Sequence, residues 1–172
     1  MSGGDSTESV ELELVGVDVE APANVPVMHL REQEGDRRIL SIYIGLSEAN
    51  AIRLAQTGAT PPRPLTHDLL VNVLEDLGAH LSRIVITEVR DNTYFAELQL
   101  VHQGQHHSIS CRPSDAVAIA VRAVVPIAAS RELLDQVGLL VDDEGEQADE
   151  EVIDEFRDFI ENINPEDFRE SS

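Results

Sequence analysis

Arg112-Pro113-Ser114-Asp115-Ala116-Val117-Ala118-Ile119-Ala120-Val121-Arg122-Ala123-Val124 is the stretch on which the fold turns. Proline sets the chain direction at a helix entrance, where its missing N–H costs nothing. Ser114 is placed to cap the first turn and Asp115 to complement the helix dipole. From Ala116 to Val121 every residue is apolar. A helix over 114–124 therefore has almost no solvent face and belongs at the centre of a packed body. Pro126 ends it and opens a short strand over 127–129.

Upstream lies a run of strand signals. Residues 81–89, 94–101 and 107–111 read as strands, joined by turns at Asp91-Asn92 and Gln103-Gly104 into an antiparallel meander. Further strands over 10–19, 25–30 and 38–44 surround the turn Ala21-Pro22-Ala23-Asn24 and the polar hairpin loop 32–36. Ser47 is expected to cap a helix reaching Gln56, which Gly58 ends. The stiff connector Pro61-Pro62-Arg63-Pro64 then leads to a helix over 66–77, whose stripe is Leu69, Leu70, Val73, Leu74 and Leu77. A short helix over 132–136 and the segment 138–141 close the body. Runs of strands kept apart from helices predict an α+β domain around a mixed sheet.

The ends read differently. Residues 1–9 are expected to be a disordered lead, 10–141 the folded domain, and 142–149 a solvated acidic linker. Beyond the linker Val152, Ile153, Phe156, Phe159, Ile160 and Ile163 recur at helical spacing, which predicts an acidic C-terminal amphipathic helix that docks on its own body or on a neighbouring protomer.

Across its 172 residues the chain carries a net charge of −21, with twelve arginines and no lysine. Residues 1–23 hold six acids and no base, and residues 141–172 hold fourteen acids against Arg157 and Arg169. The body between them has thirteen acids and ten arginines, so it is nearly neutral and can still present a local arginine cluster. Lysine-free acidity fits a high-salt cytoplasm, and a GC-rich genome gives the same arginine bias. Cys111 is the lone cysteine, which excludes an internal disulfide framework and fits a reducing, cytoplasmic setting; it reads as a buried strand residue. No apolar run is long enough to span a membrane, and the start of the chain lacks signal-peptide character.

Arg63-Pro64-Leu65-Thr66-His67-Asp68 repeats the pattern of Arg112-Pro113-Ser114-Asp115: an Arg-Pro pair, a hydroxyl residue placed to cap a helix, then an aspartate. Brought together, two arginines and two aspartates at paired helix mouths would suit phosphate or a metal ion. The structural alternative is that the arginines pair with Asp68 and Asp115 in a buried network. His102, His106 and His107 flank one hairpin at spacings that match no familiar metal pattern, and His29 and His80 stand alone.

Five ordered blocks carry a resemblance: Ser41-Ile42-Tyr43-Ile44-Gly45-Leu46-Ser47-Glu48-Ala49, Arg63 through Leu69, Tyr94-Phe95-Ala96, Arg112 through Arg122, and Pro126-Ile127. Over about residues 10–140 they resemble the bifunctional nuclease (BFN) domain family of prokaryotes and plants. Asn164-Pro165-Glu166-Asp167-Phe168 is similar to tails on prokaryotic members. The resemblance implies a compact α+β domain with a curved mixed β-sheet, self-association as a homo-oligomer, and hydrolysis of DNA and RNA phosphodiesters. The family pattern has Asp two residues before the second Arg-Pro pair, and Ser110 stands there instead.

A nuclease of this kind needs an activated water, a stabiliser for phosphoryl charge and, in most designs, Mg²⁺ or Mn²⁺. Asp68 and Asp115 are the expected metal ligands, His67 the general base, and Arg63 and Arg112 the phosphate-binding forks. With no basic stripe, no tryptophan and few aromatics, nucleic acid is expected to bind weakly and without sequence preference. The alternative function is a non-catalytic binding, regulatory or assembly domain whose Arg-Pro motifs are structural or hold a small anion.

Overall fold

The computed structural model describes residues 8–59 and 61–140. The chain divides into two units, Met1–Leu140 and Val141–Ser172, and the described residues lie in the first. The acidic linker, the amphipathic C-terminal helix and most of the N-terminal lead fall outside the described residues.

Seven strands form one mixed sheet: β1 (Ser9–Glu20), β2 (Val25–Glu32), β3 (Ile39–Tyr43), β4 (Ala79–Arg90), β5 (Thr93–His102), β6 (Gln105–Cys111) and β7 (Ile127–Ser130). Their order is β3-β2-β1-β7-β4-β5-β6. This corrects the expected curved sheet. The sheet is open, running from an edge at β3 to an edge at β6. Three hairpin-linked strands form each flank, and β7 joins them, antiparallel to β1 and parallel to β4. The β4-β5-β6 meander is present, with Asp91 and Asn92 both at positive φ in its first turn. Two positive-φ residues suit a hairpin turn because they match the twist of the flanking strands.

Four helices complete the domain: α1 (Leu46–Gln56), α2 (Thr66–Asp76), α3 (Pro113–Ala123) and α4 (Arg131–Val137). As its composition predicts, α3 is central. Residues 116–120 are buried, and the helix packs against α1, α2, β4 and β5. Fully burying a side chain such as Val117 or Ile119 contributes about 2 kcal/mol, which anchors this helix more firmly than its short length would.

Helix α2 departs from its predicted packing. None of its residues is fully buried, and Leu69, Leu70, Val73 and Leu77 are exposed. Only Val71 and Leu74 pack against the core. The caps differ as well. The structure places the N-caps at Gly45, Leu65 and Arg112, not at Ser47, Thr66 and Ser114. Ser114 is instead buried in the first turn of α3.

A buried ion pair ties the far flank together. Glu32, 2% exposed, takes the Arg38 guanidinium at 2.8 Å, and Arg38 reaches Asp135 of α4 at 2.7 Å. Hydrogen bonds from Arg38 outweigh the cost of burial and hold the Glu32 carboxyl below its usual range. Beside it Leu139 and Ile39 exchange backbone bonds of 2.8 and 2.9 Å, which covers one end of the β3 edge.

Candidate functional site at three helix mouths

Helices α1, α2 and α3 begin together, and each carries an acid at its third position: Glu48, Asp68 and Asp115. A carboxylate there faces the unpaired N–H groups and positive dipole end of its helix. Gly45 leaves the space into which the Glu48 carboxylate folds back; a Cβ at that position would collide with it.

Asp115 is the hub. Its Oδ1 meets His67 Nε2 at 3.0 Å and accepts from the Arg112 guanidinium at 3.1 Å, while its Oδ2 accepts from Arg112 Nε at 2.7 Å. Arg112 continues to Glu48 Oε1 at 3.0 Å, so the three helix starts are linked through one guanidinium and one imidazole. Burial pushes the Asp115 carboxyl up. Hydrogen bonds from Arg112 and His67 outweigh that push and hold its pKa below the ordinary aspartate range. The carboxylate is therefore ionised and can only accept, which requires an N–H at His67 Nε2.

Asp68 faces the other way. Its Oδ2 accepts from the Leu65 backbone N–H at 2.9 Å, and its Oδ1 pairs with Arg122 Nε. Burial again opposes the charge, and those two donors again win, so its pKa is lowered too. Arg122 is 8% exposed and also donates to the carbonyls of Ala118 at 2.8 Å and Ala51 at 3.1 Å. It clamps α1 and α2 to α3.

The sequence-predicted set is thus partly assembled. His67, Asp115 and Arg112 meet directly, and Asp68 is one residue away on α2 but turned to Arg122. Arg63 is exposed, and among the described residues it makes no hydrogen bond or ion pair. Glu48 and Arg122 were missed. The signal for Glu48 was available, since it repeats the third-position acid of the other two helices. Arg122 could have been read as a charge that needs a partner, because it ends an otherwise apolar helix.

Between α1 and α2, above the start of α3, lies an open groove of about 750 Å³. Leu54, Leu65 and Leu69 contribute apolar walls, and His67, Arg112 and Asp115 contribute polar lining. Cys111 immediately precedes Arg112. Burial, then the charges of Asp115 and Glu97, push its thiol up to about 11, so it is no nucleophile at neutral pH.

A model of the bifunctional nuclease domain matches residues 28–142. The chain belongs to the bifunctional nuclease domain family. Among its relatives, an uncharacterized protein of Mycobacterium tuberculosis is 42% identical over 164 residues, spanning 92% of this chain and 98% of that protein. Bifunctional nuclease 2 of Arabidopsis thaliana is 29% identical over 119 residues, or 67% of this chain and 36% of that one. Bifunctional nuclease 1 of Oryza sativa subsp. japonica is 28% identical over 115 residues, 65% of this chain and 35% of that one. The bifunctional nuclease domain described here thus spans about a third of these plant relatives.

All four oxygens of Asp68 and Asp115 face donors already inside the protein. With Arg112 and Arg122 in place, the pair does not fit a bridging divalent ion, which wants free carboxylate oxygens. Among the described residues no helix is long and apolar enough to cross a membrane.

Proposed function

We propose that this chain hydrolyses phosphodiester bonds in DNA and RNA without sequence specificity. The observation that carries the reading is the His67–Asp115 pair, which lines the groove beside Arg112, a cation whose side chain is 65% exposed. Asp115 orients the ring and stabilises the imidazolium it becomes. His67 Nδ1 takes the proton of an attacking water as the new P–O bond forms, and the departing sugar oxygen leaves with the electron pair of the broken bond and is protonated by solvent. Arg112, released from Asp115, neutralises the phosphoryl oxygens, with Arg63 as a second fork. Mg²⁺ or Mn²⁺ belongs to the proposal only if Arg112 has left Asp115, so that an ion could use the freed oxygens.

The test is cleavage of single- and double-stranded DNA and RNA by purified protein in Mg²⁺, Mn²⁺ or chelator. His67→Gln and Asp115→Asn variants with unchanged circular dichroism run beside it. Loss of a general base or its orienting partner lowers the rate by about 10²–10⁴-fold. Equal cleavage by wild type and both variants would remove these residues from the mechanism.

A second reading has its own observation. The saturated carboxylates are what a structural network gives, and they favour a non-catalytic domain that binds a small anion at Arg112. Absence of cleavage in every condition would select it. Under either reading we infer that copies of the chain associate, supported by Leu70, Val73 and Leu77, which are exposed on and just after α2 outside the groove lining. The mass in solution by light scattering tests this, and a monomer at all concentrations would exclude it.

A further inference from the structure

Arginine is the only basic side chain with a fixed charge in this molecule, and its distribution limits what the groove can hold. Arg31 and Arg37 pair with Glu13, Arg38 with Glu32 and Asp135, and Arg90 with Glu88. Arg112 pairs with Asp115 and Glu48, Arg122 with Asp68, and Arg131 with Glu8. Arg53 is spent on the carbonyl of Val17, and Arg83 on Gln99 and Ser9. Among the described residues Arg63 alone is left over. A nucleic-acid duplex presents a charge about every 1.7 Å of its axis and is held by rows of such cations. No row exists here.

The groove has a different character. Its walls include Leu54, Leu65 and Leu69, with Leu65 44% and Leu69 54% exposed and so open to contact. Its 750 Å³ falls in the range of about 300–1,000 Å³ typical of pockets for single small molecules. Arg112 is the arginine in the groove lining, its side chain 65% exposed beside an apolar wall, which matches one phosphate beside one base.

We propose that the groove takes short single-stranded oligonucleotides, one or two nucleotides at a time, with a base on Leu65 and Leu69 and a single phosphate at Arg112. This rests on the phosphodiester reading above and narrows its substrate. Affinity comes from local contact with little long-range attraction, so binding depends only weakly on salt.

The experiment compares a dinucleoside monophosphate, a 20-nucleotide single strand and a 20-base-pair duplex, each from 0.1 to 1 M salt. Per bond, the dinucleoside monophosphate is expected to be cleaved at least as efficiently as the 20-mer, and the duplex least. One phosphate contact predicts that KM rises only about fivefold over that tenfold change in salt, whereas four contacts give roughly 600-fold. Leu69→Asn, at an exposed position, is expected to raise the dinucleoside monophosphate KM about fivefold. A tenfold preference per bond for the long strand or the duplex, or the steep salt dependence, overturns the proposal while leaving the nuclease reading intact. If nothing is cleaved, the nuclease reading falls, and calorimetry with the dinucleoside monophosphate decides this one. Binding weakened by Leu69→Asn supports the groove, and no binding at millimolar ligand refutes it.

Discussion

Replacing Arg122 by Met removes a charge from the junction of three helices while keeping most of the side-chain volume. The Arg122 side chain is 8% exposed and its partner Asp68 26%. Truncating one member of a fully buried pair costs about 3–5 kcal/mol, much of it from the charge left behind. Asp68 keeps its bond to the Leu65 N–H and some water, so about 2 kcal/mol is the better figure for that part. The carbonyls of Ala118 and Ala51 lie inside helices and keep their helical partners, so losing Arg122 adds only about 0.5 kcal/mol at each. The expected total is about 3 kcal/mol, or a fall of about 6–12 °C in Tm for a domain of this size. Urea denaturation with an unchanged m-value measures it. Asp68→Asn added to Arg122→Met should recover more than half of the loss, because Asn still accepts from Leu65 and leaves no orphan charge. A loss below about 1 kcal/mol, or a double variant equal to the sum of its parts, would refute the clamp.

Val124 ends α3 at φ 53°, ψ 51° and is 88% exposed, so a β-branched residue holds a left-handed conformation with no packing in return. Val124→Gly is expected to stabilise the fold by about 1 kcal/mol, seen as a higher urea midpoint; an unchanged or lower midpoint would show the strain is absent. Asp68 and Asp115 both have lowered folded-state pKa values. Below the ordinary aspartate pKa near about 4 the unfolded chain therefore binds more protons than the folded one. Their contribution is complete at neutral pH and is lost as pH falls from about 4 through the folded values. Midpoints measured from pH 2.5 to 7 should fall in that window, less steeply in Asp115→Asn; identical slopes in the two proteins would remove Asp115 from the account.

Local pattern made most elements legible. The alternation in β5 and the apolar run of α3 fix both their type and their depth, because period and composition act within a few residues. The helix over 66–77 shows where this stops. Its stripe is regular, but which face is covered depends on where α3 and β4 lie, and only Val71 and Leu74 meet them. The caps slipped for a related reason. Thr66 and Ser114 follow their true cap positions by one and two residues, and Asp68 does the work at α2 by accepting from Leu65. At the site, His67, Asp115 and Arg112 could be nominated because each stands in a motif. The partner of Asp68 could not, since Arg122 is 54 residues away and reaches it only through the packing of α2 on α3.

The electrostatics of the three mouths bear directly on how strongly the groove can draw a phosphate. Each helix start contributes about half a positive charge, and uncapped they would form an anion trap. Glu48, Asp68 and Asp115 more than cancel that, and Arg112 and Arg122 bring the cluster back close to neutral. A neutral site exerts little pull at a distance, and in an acidic chain it gains none from its surroundings. What can change is local. If Arg112 swings from Asp115 to a phosphate, the exchange swaps one charge-assisted bond for another. The Asp115 carboxylate it leaves is still held by His67, whose gain of a proton would then be stabilised. In the proposed mechanism, a ligand that displaces Arg112 would thus prime His67 as an acceptor for the proton of water. On that reading one carboxylate would couple binding to chemistry, with no field needed from the rest of the protein.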